Sequence, residues 1–88
     1  MSRESVLPKS RDVGTVWAIT PAGHLTVRSH GPEVVPEGTL VRDPGGPVRG
    51  EVVRVFGPVA RPYLSVRPRR TPTASDGAAL VGRALVRE

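Results

Sequence analysis

The stretch VRGEVVRVFGPVARPYLSVRP, residues 48–68, decides the fold, because it holds two strand patterns and an unusual connection between them. Its ends, 48–56 and 63–68, contain valines and other apolar residues that alternate with polar ones, as half-buried strands do. Turns are usually polar, whereas this connection is largely apolar and carries Pro58 and Pro62. Proline fixes its own φ angle and restricts the preceding residue to extended conformations. The connection is therefore predicted to be stiff before it contacts anything else.

The alternation assigns an inner face to each of the two strands. In the first strand, Val48, Val52 and Phe56 are predicted to share the face that points to the core. In the second strand, Leu64 and Val66 are predicted to point inward. Phe56 is therefore expected to be a core residue, at the end of the strand where the stiff connection begins.

Further strand patterns lie on both sides of this stretch. TPAG (20–23) and DPGG (43–46) each place proline second and glycine fourth, as tight type I turns prefer. We interpret 69–78 as a polar loop without core contacts and 1–11 as a flexible tail. The remaining strands are predicted at 13–19, 24–29, 39–42 and 80–87. Six short strands in one domain, 12–88, favour an all-β fold, a small antiparallel and Greek-key-like β-barrel, since closure removes exposed edges.

The charge balance indicates the environment of the chain. Its 88 residues include 13 Lys and Arg against 8 Asp and Glu, which gives a net charge of +5, and nearly all of the basic residues are arginine. This balance suits contact with polyanions, of which RNA is the commonest in a cell. The three aromatic residues, Trp17, Phe56 and Tyr63, are too few to predict a base-stacking platform for single-stranded nucleic acid.

No group of residues predicts catalysis, a metal or a cofactor. Cysteine is absent, and His24 and His30 have no further ligand at metal-binding spacing. Ser29, beside His30, lacks the strand-to-helix elbow of a serine nucleophile. The chain is therefore expected not to be an enzyme and to have no small-molecule substrate. It shows neither a signal-peptide pattern nor a long apolar run, so a cytoplasmic location away from membranes is expected (nucleolar in a eukaryotic cell).

The local basic cluster RPRR, residues 67–70, has two interpretations. Arg67, Arg69 and Arg70 could contact the phosphate groups of RNA. They could equally form the solvated end of a strand, where charge keeps an edge from pairing with another chain. The sequence leaves both interpretations open.

Three stretches together resemble a known family. They are VGTVWAITPAGHLTVRS (13–29), VRGEVVRVFGPVARPYLSVRP (48–68) and LVGRALV (80–86). With them the chain resembles the Gar-one-type accessory subunit of box H/ACA ribonucleoproteins, the particles that guide pseudouridylation, in its compact archaeal form. The most specific part is the pattern VFGPVxxPYxxVxP, which runs from residue 55 to residue 68.

The resemblance implies a six-stranded barrel that binds a dyskerin-type pseudouridine synthase subunit. It implies a non-catalytic role in which the subunit helps target rRNA load and leave, with contact to the box H/ACA guide RNA largely indirect. The stiff connection would then supply the partner-binding residues, which are Gly57, Pro58, Val59, Pro62 and Tyr63. The same side chains could instead close one end of the barrel. The alternative function is a direct RNA-binding barrel of a translation-factor-like or ribosome-assembly type.

Overall fold

The computed structural model describes residues 12–31, 35–58, 60–70 and 72–88. The predicted tail, 1–11, and Val59 lie outside the described residues. Within them the chain forms six β-strands and one short helix. These are β1 Asp12–Ile19, β2 Leu25–Ser29, β3 Leu40–Arg42, β4 Arg49–Phe56, β5 Tyr63–Pro68, α1 Ala74–Leu80 and β6 Ala84–Arg87.

The strands form one closed barrel. Around it they follow the order β1-β2-β5-β4-β3-β6, and β6 returns to pair with β1. Every pair is antiparallel. Strands β3, β4 and β5 are joined as consecutive hairpins, and β2 pairs with β5, which makes β2 to β5 a Greek key. The fold class predicted from the sequence is confirmed.

Small aliphatic side chains fill the core. Among the described residues, the buried hydrophobic side chains are seven valines and four leucines, and none is aromatic: Val13, Val16, Leu25, Val27, Val35, Val41, Val52, Leu64, Val66, Leu80 and Leu85. Even an eight-stranded barrel has an interior only just wide enough for its side chains, so six strands leave room for little more than valine and leucine. The predicted inward positions of Val52, Leu64 and Val66 are confirmed, since each is fully buried.

A register shift places Phe56 outside the barrel, so the prediction that it is a core residue is wrong. The pairing of β4 with β5 shifts between Val52 and Arg54, which leaves Val53 without a counterpart. One extra residue reverses the alternation of the side chains that follow it. Val55 therefore packs against the core, and Phe56 is 36% exposed.

The segment after β5 contains a helix, so the prediction of a polar loop over 69–78 is wrong from Ala74 onward, and the predicted strand over 80–87 is confirmed only for Ala84–Arg87. In α1 the Gly77 N–H donates to the carbonyl oxygen of Thr73 at 2.8 Å, and β6 is confined to the last four residues of the predicted strand. The segment is rich in alanine, serine, aspartate and glycine and lacks the β-branched run that a strand requires. Leu80, at the end of the helix, is 3% exposed and belongs to the core.

The DPGG turn between β3 and β4 is tied to the loop that precedes β6. The Gly46 N–H donates to the Asp43 carbonyl oxygen at 3.1 Å, which confirms the predicted tight turn. The Asp43 carboxylate is buried, and it accepts hydrogen bonds from the Gly45 N–H at 3.0 Å and from Arg83. Arg83 Nε lies 2.8 Å from Asp43 Oδ2, and Arg83 Nη2 donates to Asp43 Oδ1 at 3.2 Å, so the guanidinium contacts both carboxylate oxygens.

Candidate functional site

All three aromatic residues lie on the outside of the barrel and form one cluster. Trp17 belongs to β1, Phe56 to β4 and Tyr63 to β5. Trp17 is 52% exposed and Phe56 is 36% exposed, while Tyr63 is half-buried between them. The Tyr63 ring stacks on Phe56 with centroids 5.7 Å apart, and it meets Trp17 edge to face at 5.9 Å. An exposed apolar group of this size is the kind of surface that marks a contact with another molecule.

Strand pairing brings these rings together. Phe56 and Tyr63 face each other directly across β4 and β5, and Arg28 of β2 faces Tyr63 across the next pair. Trp17 stands at a register shift between Val16 and Ala18 in the pairing of β1 with β2. The shift gives Trp17 no counterpart in β2, which is the position where a bulge re-aims a side chain.

Two arginines complete the cluster. The Arg28 guanidinium carbon lies 5.0 Å from the Trp17 ring centroid and 5.8 Å from that of Tyr63. The Arg54 guanidinium carbon lies 5.3 Å from the Phe56 ring centroid. Contacts of this kind stabilise a cation over an aromatic ring by about 0.5–1 kcal/mol at exposed sites. We call these five residues the aromatic surface.

These two arginines have no carboxylate partner among the described residues. The ion pairs found there involve other guanidinium groups. In addition, Arg28 Nε is buried and donates no hydrogen bond. The aromatic surface therefore combines exposed ring area with the exposed side chain of Arg54, whose guanidinium donors a bound molecule could use.

The connection between β4 and β5 borders this surface, and its residues play different parts. Gly57 has a φ of +92°, a conformation that favours glycine. A Cβ atom at this position would lie 2.9 Å from Cδ2 of Tyr63, so the glycine also lets the ring approach the backbone. Pro58 is exposed, whereas Pro62 is buried and its carbonyl oxygen accepts a hydrogen bond from the Ser29 N–H at 3.1 Å. Pro62 thus fixes the position of the backbone where the chain enters β5, and Pro58 is an exposed residue next to the aromatic surface.

The three arginines of the RPRR cluster have different surroundings. Arg67 is paired with Glu51 across β4 and β5, with Nη2 3.1 Å from Oε1. Arg69 lies 3.9 Å from a carboxylate oxygen of Glu88. No ion pair is found for Arg70 within the described part of the chain. The structure therefore separates Arg67, whose charge is matched, from the other two.

Sequence reasoning missed Trp17, Arg28 and Arg54 as parts of the site. It found Tyr63 because the proline-rich connection drew attention to it. Arg28 could have been found from the alternation of β2, which turns Leu25 inward and Arg28 outward. Neither Trp17 nor Arg54 could have been found in this way, because both stand at register shifts.

The sequence matches no protein-family model, and a search of curated proteins finds no significant match. In the described ranges, no helix is long and apolar enough to cross a membrane. Nor does any group of three or more His, Cys, Asp or Glu side chains in these ranges have the arrangement of a metal site.

Proposed function

We propose that this chain is the Gar-one-type accessory subunit of an archaeal box H/ACA ribonucleoprotein. In this role it docks on the dyskerin-type pseudouridine synthase subunit and assists RNA-guided pseudouridylation of rRNA without catalysing it. The observation that carries the proposal is the aromatic surface, to which the VFGPVxxPY pattern of the family resemblance contributes Phe56 and Tyr63. The role would place the protein in the cytoplasm of an archaeal cell.

The composition of the aromatic surface favours a protein partner. Trp, Tyr and Arg are the residue types that most often dominate the energy of protein–protein interfaces. Their side chains bring large, rigid contact areas, and the tyrosine hydroxyl can satisfy a polar rim. The bordering connection is stiffened by Pro58 and Pro62, so little conformational entropy remains to oppose docking.

The arrangement of the rings favours protein docking over base stacking. A stacking platform needs open ring faces on which successive bases lie. Here Tyr63 and Phe56 stack on each other, and Arg28 and Arg54 lie over rings of the cluster. Each ring already has a neighbour over part of its surface, while the outer edges remain exposed. An exposed aromatic surface with guanidinium donors fits a protein partner that offers apolar side chains and carboxylates.

Calorimetric titration of the full chain against a purified dyskerin-type synthase tests the proposal. Tyr63→Ala and Trp17→Ala are each expected to weaken binding by about 2 kcal/mol, roughly 30-fold in Kd, as interface anchors do. Leu40→Ala is the control, because Leu40 is also exposed, at 45%, but lies on β3. The control should bind like the unmodified chain, and circular dichroism should show that all three variants are folded.

Two outcomes would contradict the proposal. The first is no binding of the unmodified chain to the synthase. The second is equal loss of affinity in Leu40→Ala and Tyr63→Ala, which would mean that the aromatic surface is not the contact. A direct RNA-binding barrel, the alternative, would instead fail to bind the synthase while it binds guide RNA, with an affinity that falls steeply as salt rises.

A further inference from the structure

A second surface lies at the opposite end of the β4–β5 hairpin. Arg49 begins β4, and the Arg69 N–H, just after β5, donates to the Arg49 carbonyl oxygen at 2.9 Å. Arg49, Arg69 and Arg70 line a groove of about 620 Å³ together with Pro47, Val48 and Pro72. We call it the arginine groove. Three arginines thus line one groove.

Positive charge exceeds negative charge at this groove. Two arginines of the groove share the carboxylate of Glu88: Arg49 Nη1 lies 3.0 Å from its Oε2, and Arg69 Nη2 lies 3.9 Å from its Oε1. Arg42 adds further positive charge, because it faces Arg49 directly across β3 and β4. Like charges placed opposite each other destabilise a sheet, so this arrangement has a cost that a bound anion would remove.

The geometry suits a particular kind of anion. Guanidinium groups bind phosphate through paired N–H donors, and several of them on one surface can contact successive phosphates. Arg49 and Arg69 both pair with Glu88, which competes with a bound phosphate, while Arg70 has no ion-pair partner among the described residues. We propose that the arginine groove binds phosphate groups of an RNA backbone, independently of base sequence.

The arginine groove and the aromatic surface are separate sites. Arg49 and Phe56 stand at the two ends of the eight-residue strand β4. Since a strand rises about 3.3 Å per residue, the ends are about 20 Å apart. The two surfaces can therefore be altered by separate sets of substitutions. The proposal concerns the isolated chain and does not rest on the identity of its protein partner.

Fluorescence anisotropy with a labelled single-stranded uridine 10-mer tests the groove without the synthase. Three phosphate contacts on a single strand predict that log K falls with log salt with a slope of about −2. Replacing Arg49, Arg69 and Arg70 together by Gln should remove most of that slope and weaken binding at least tenfold at low salt. Glu88→Gln should strengthen binding, because it removes the competing carboxylate.

The matched control is Arg61→Gln compared with Arg70→Gln. Both arginines are exposed, and neither has an ion-pair partner among the described residues, but Arg61 lies in the connection beside the aromatic surface. Only Arg70→Gln should make the slope of log K against log salt less negative, by about 0.7. Equal effects of the two variants would show that RNA is attracted by the overall positive charge of the chain, and would overturn the proposal of a site at the arginine groove.

Two further results would overturn the proposal. If Trp17→Ala abolishes RNA binding while the triple arginine variant retains it, the RNA stacks on the aromatic surface instead. If pyrophosphate displaces the RNA at an equal concentration of phosphate groups, the groove is a site for small phosphate anions and not for an RNA backbone. Failure of pyrophosphate to compete at that concentration supports the RNA assignment.

Discussion

Gly57→Ala tests the link between the backbone of the β4–β5 connection and the aromatic surface. Gly57 has a φ of +92°, and a Cβ atom there would lie 2.9 Å from Cδ2 of Tyr63. Carbon atoms pack best at about 3.5–4.0 Å, so the ring has to retreat by at least about 0.6 Å. The substitution therefore strains the backbone and displaces Tyr63 from its contacts with Phe56 and Trp17.

The expected loss of stability follows from these two effects. An L-residue in a left-handed conformation costs about 1–2 kcal/mol. Displacement of the ring weakens aromatic contacts that are each worth about 0.5–1.5 kcal/mol. Together they predict a loss of about 2 kcal/mol in the free energy of unfolding. For a domain of this size, such a loss lowers Tm by roughly 8–16 °C.

Urea denaturation followed by tryptophan fluorescence measures both effects at once. Trp17 is the only tryptophan of the chain, and it contacts Tyr63 edge to face at 5.9 Å. The native emission of Gly57→Ala should differ from that of the unmodified protein, because the ring next to the indole has moved. Synthase binding should weaken even at temperatures where the variant is folded.

Two control variants separate the contributions. Gly31→Ala should leave stability unchanged or raise it by up to about 1 kcal/mol, since Gly31 is not at positive φ and has no atom within 4 Å of an added Cβ. Gly57→Asn should show the effect of the ring contact with less backbone strain, because asparagine tolerates left-handed conformations. The reasoning is refuted if Gly57→Ala keeps both the urea midpoint and the native emission of the unmodified protein.

Three other predictions address the barrel itself. Asp43→Ala should lower the free energy of unfolding, measured by urea denaturation, by about 2 kcal/mol, because the buried carboxylate binds Arg83. Glu51→Ala breaks an exposed ion pair and should change this free energy by less than about 0.5 kcal/mol. Equal effects of the two variants would contradict the prediction. Leu64→Ala should lower the free energy of unfolding by about 2–5 kcal/mol in the same assay, and a smaller loss would show a core that is less tightly packed. The Gly77 amide should exchange slowly with deuterium if α1 forms, and exchange at the rate of an unstructured amide would argue against the helix.

The sequence predicts most of the barrel because its signals are local. Alternation places Leu64 and Val66 inside β5, and proline and glycine mark the turn at 43–46. Each of these features depends on residues within a few positions of one another. Closure also follows from the number and length of the strands, since an open sheet of this size would leave unpaired edges.

The features that the sequence does not predict depend on pairing between distant segments. A bulge such as the one at Val53 arises from the register of two strands, and no local pattern specifies it. The bulge decides that Phe56 points outward, so the place of Phe56 in the aromatic surface could not be anticipated. Helix α1 was missed for another reason, because its seven residues are too few for a helical period to stand out against a short apolar run.

The narrow barrel connects the core to the two proposed surfaces. An interior filled by valine and leucine has no room for aromatic rings, so every aromatic residue of the chain has to lie outside or at an end. β4 and β5 then bring two of these rings together at one end and the arginines at the other. Because the ends are about 20 Å apart, substitutions at the two ends should have additive effects on binding. The two proposals together place a protein contact at one end of a single hairpin and an RNA contact at the other, about 20 Å apart.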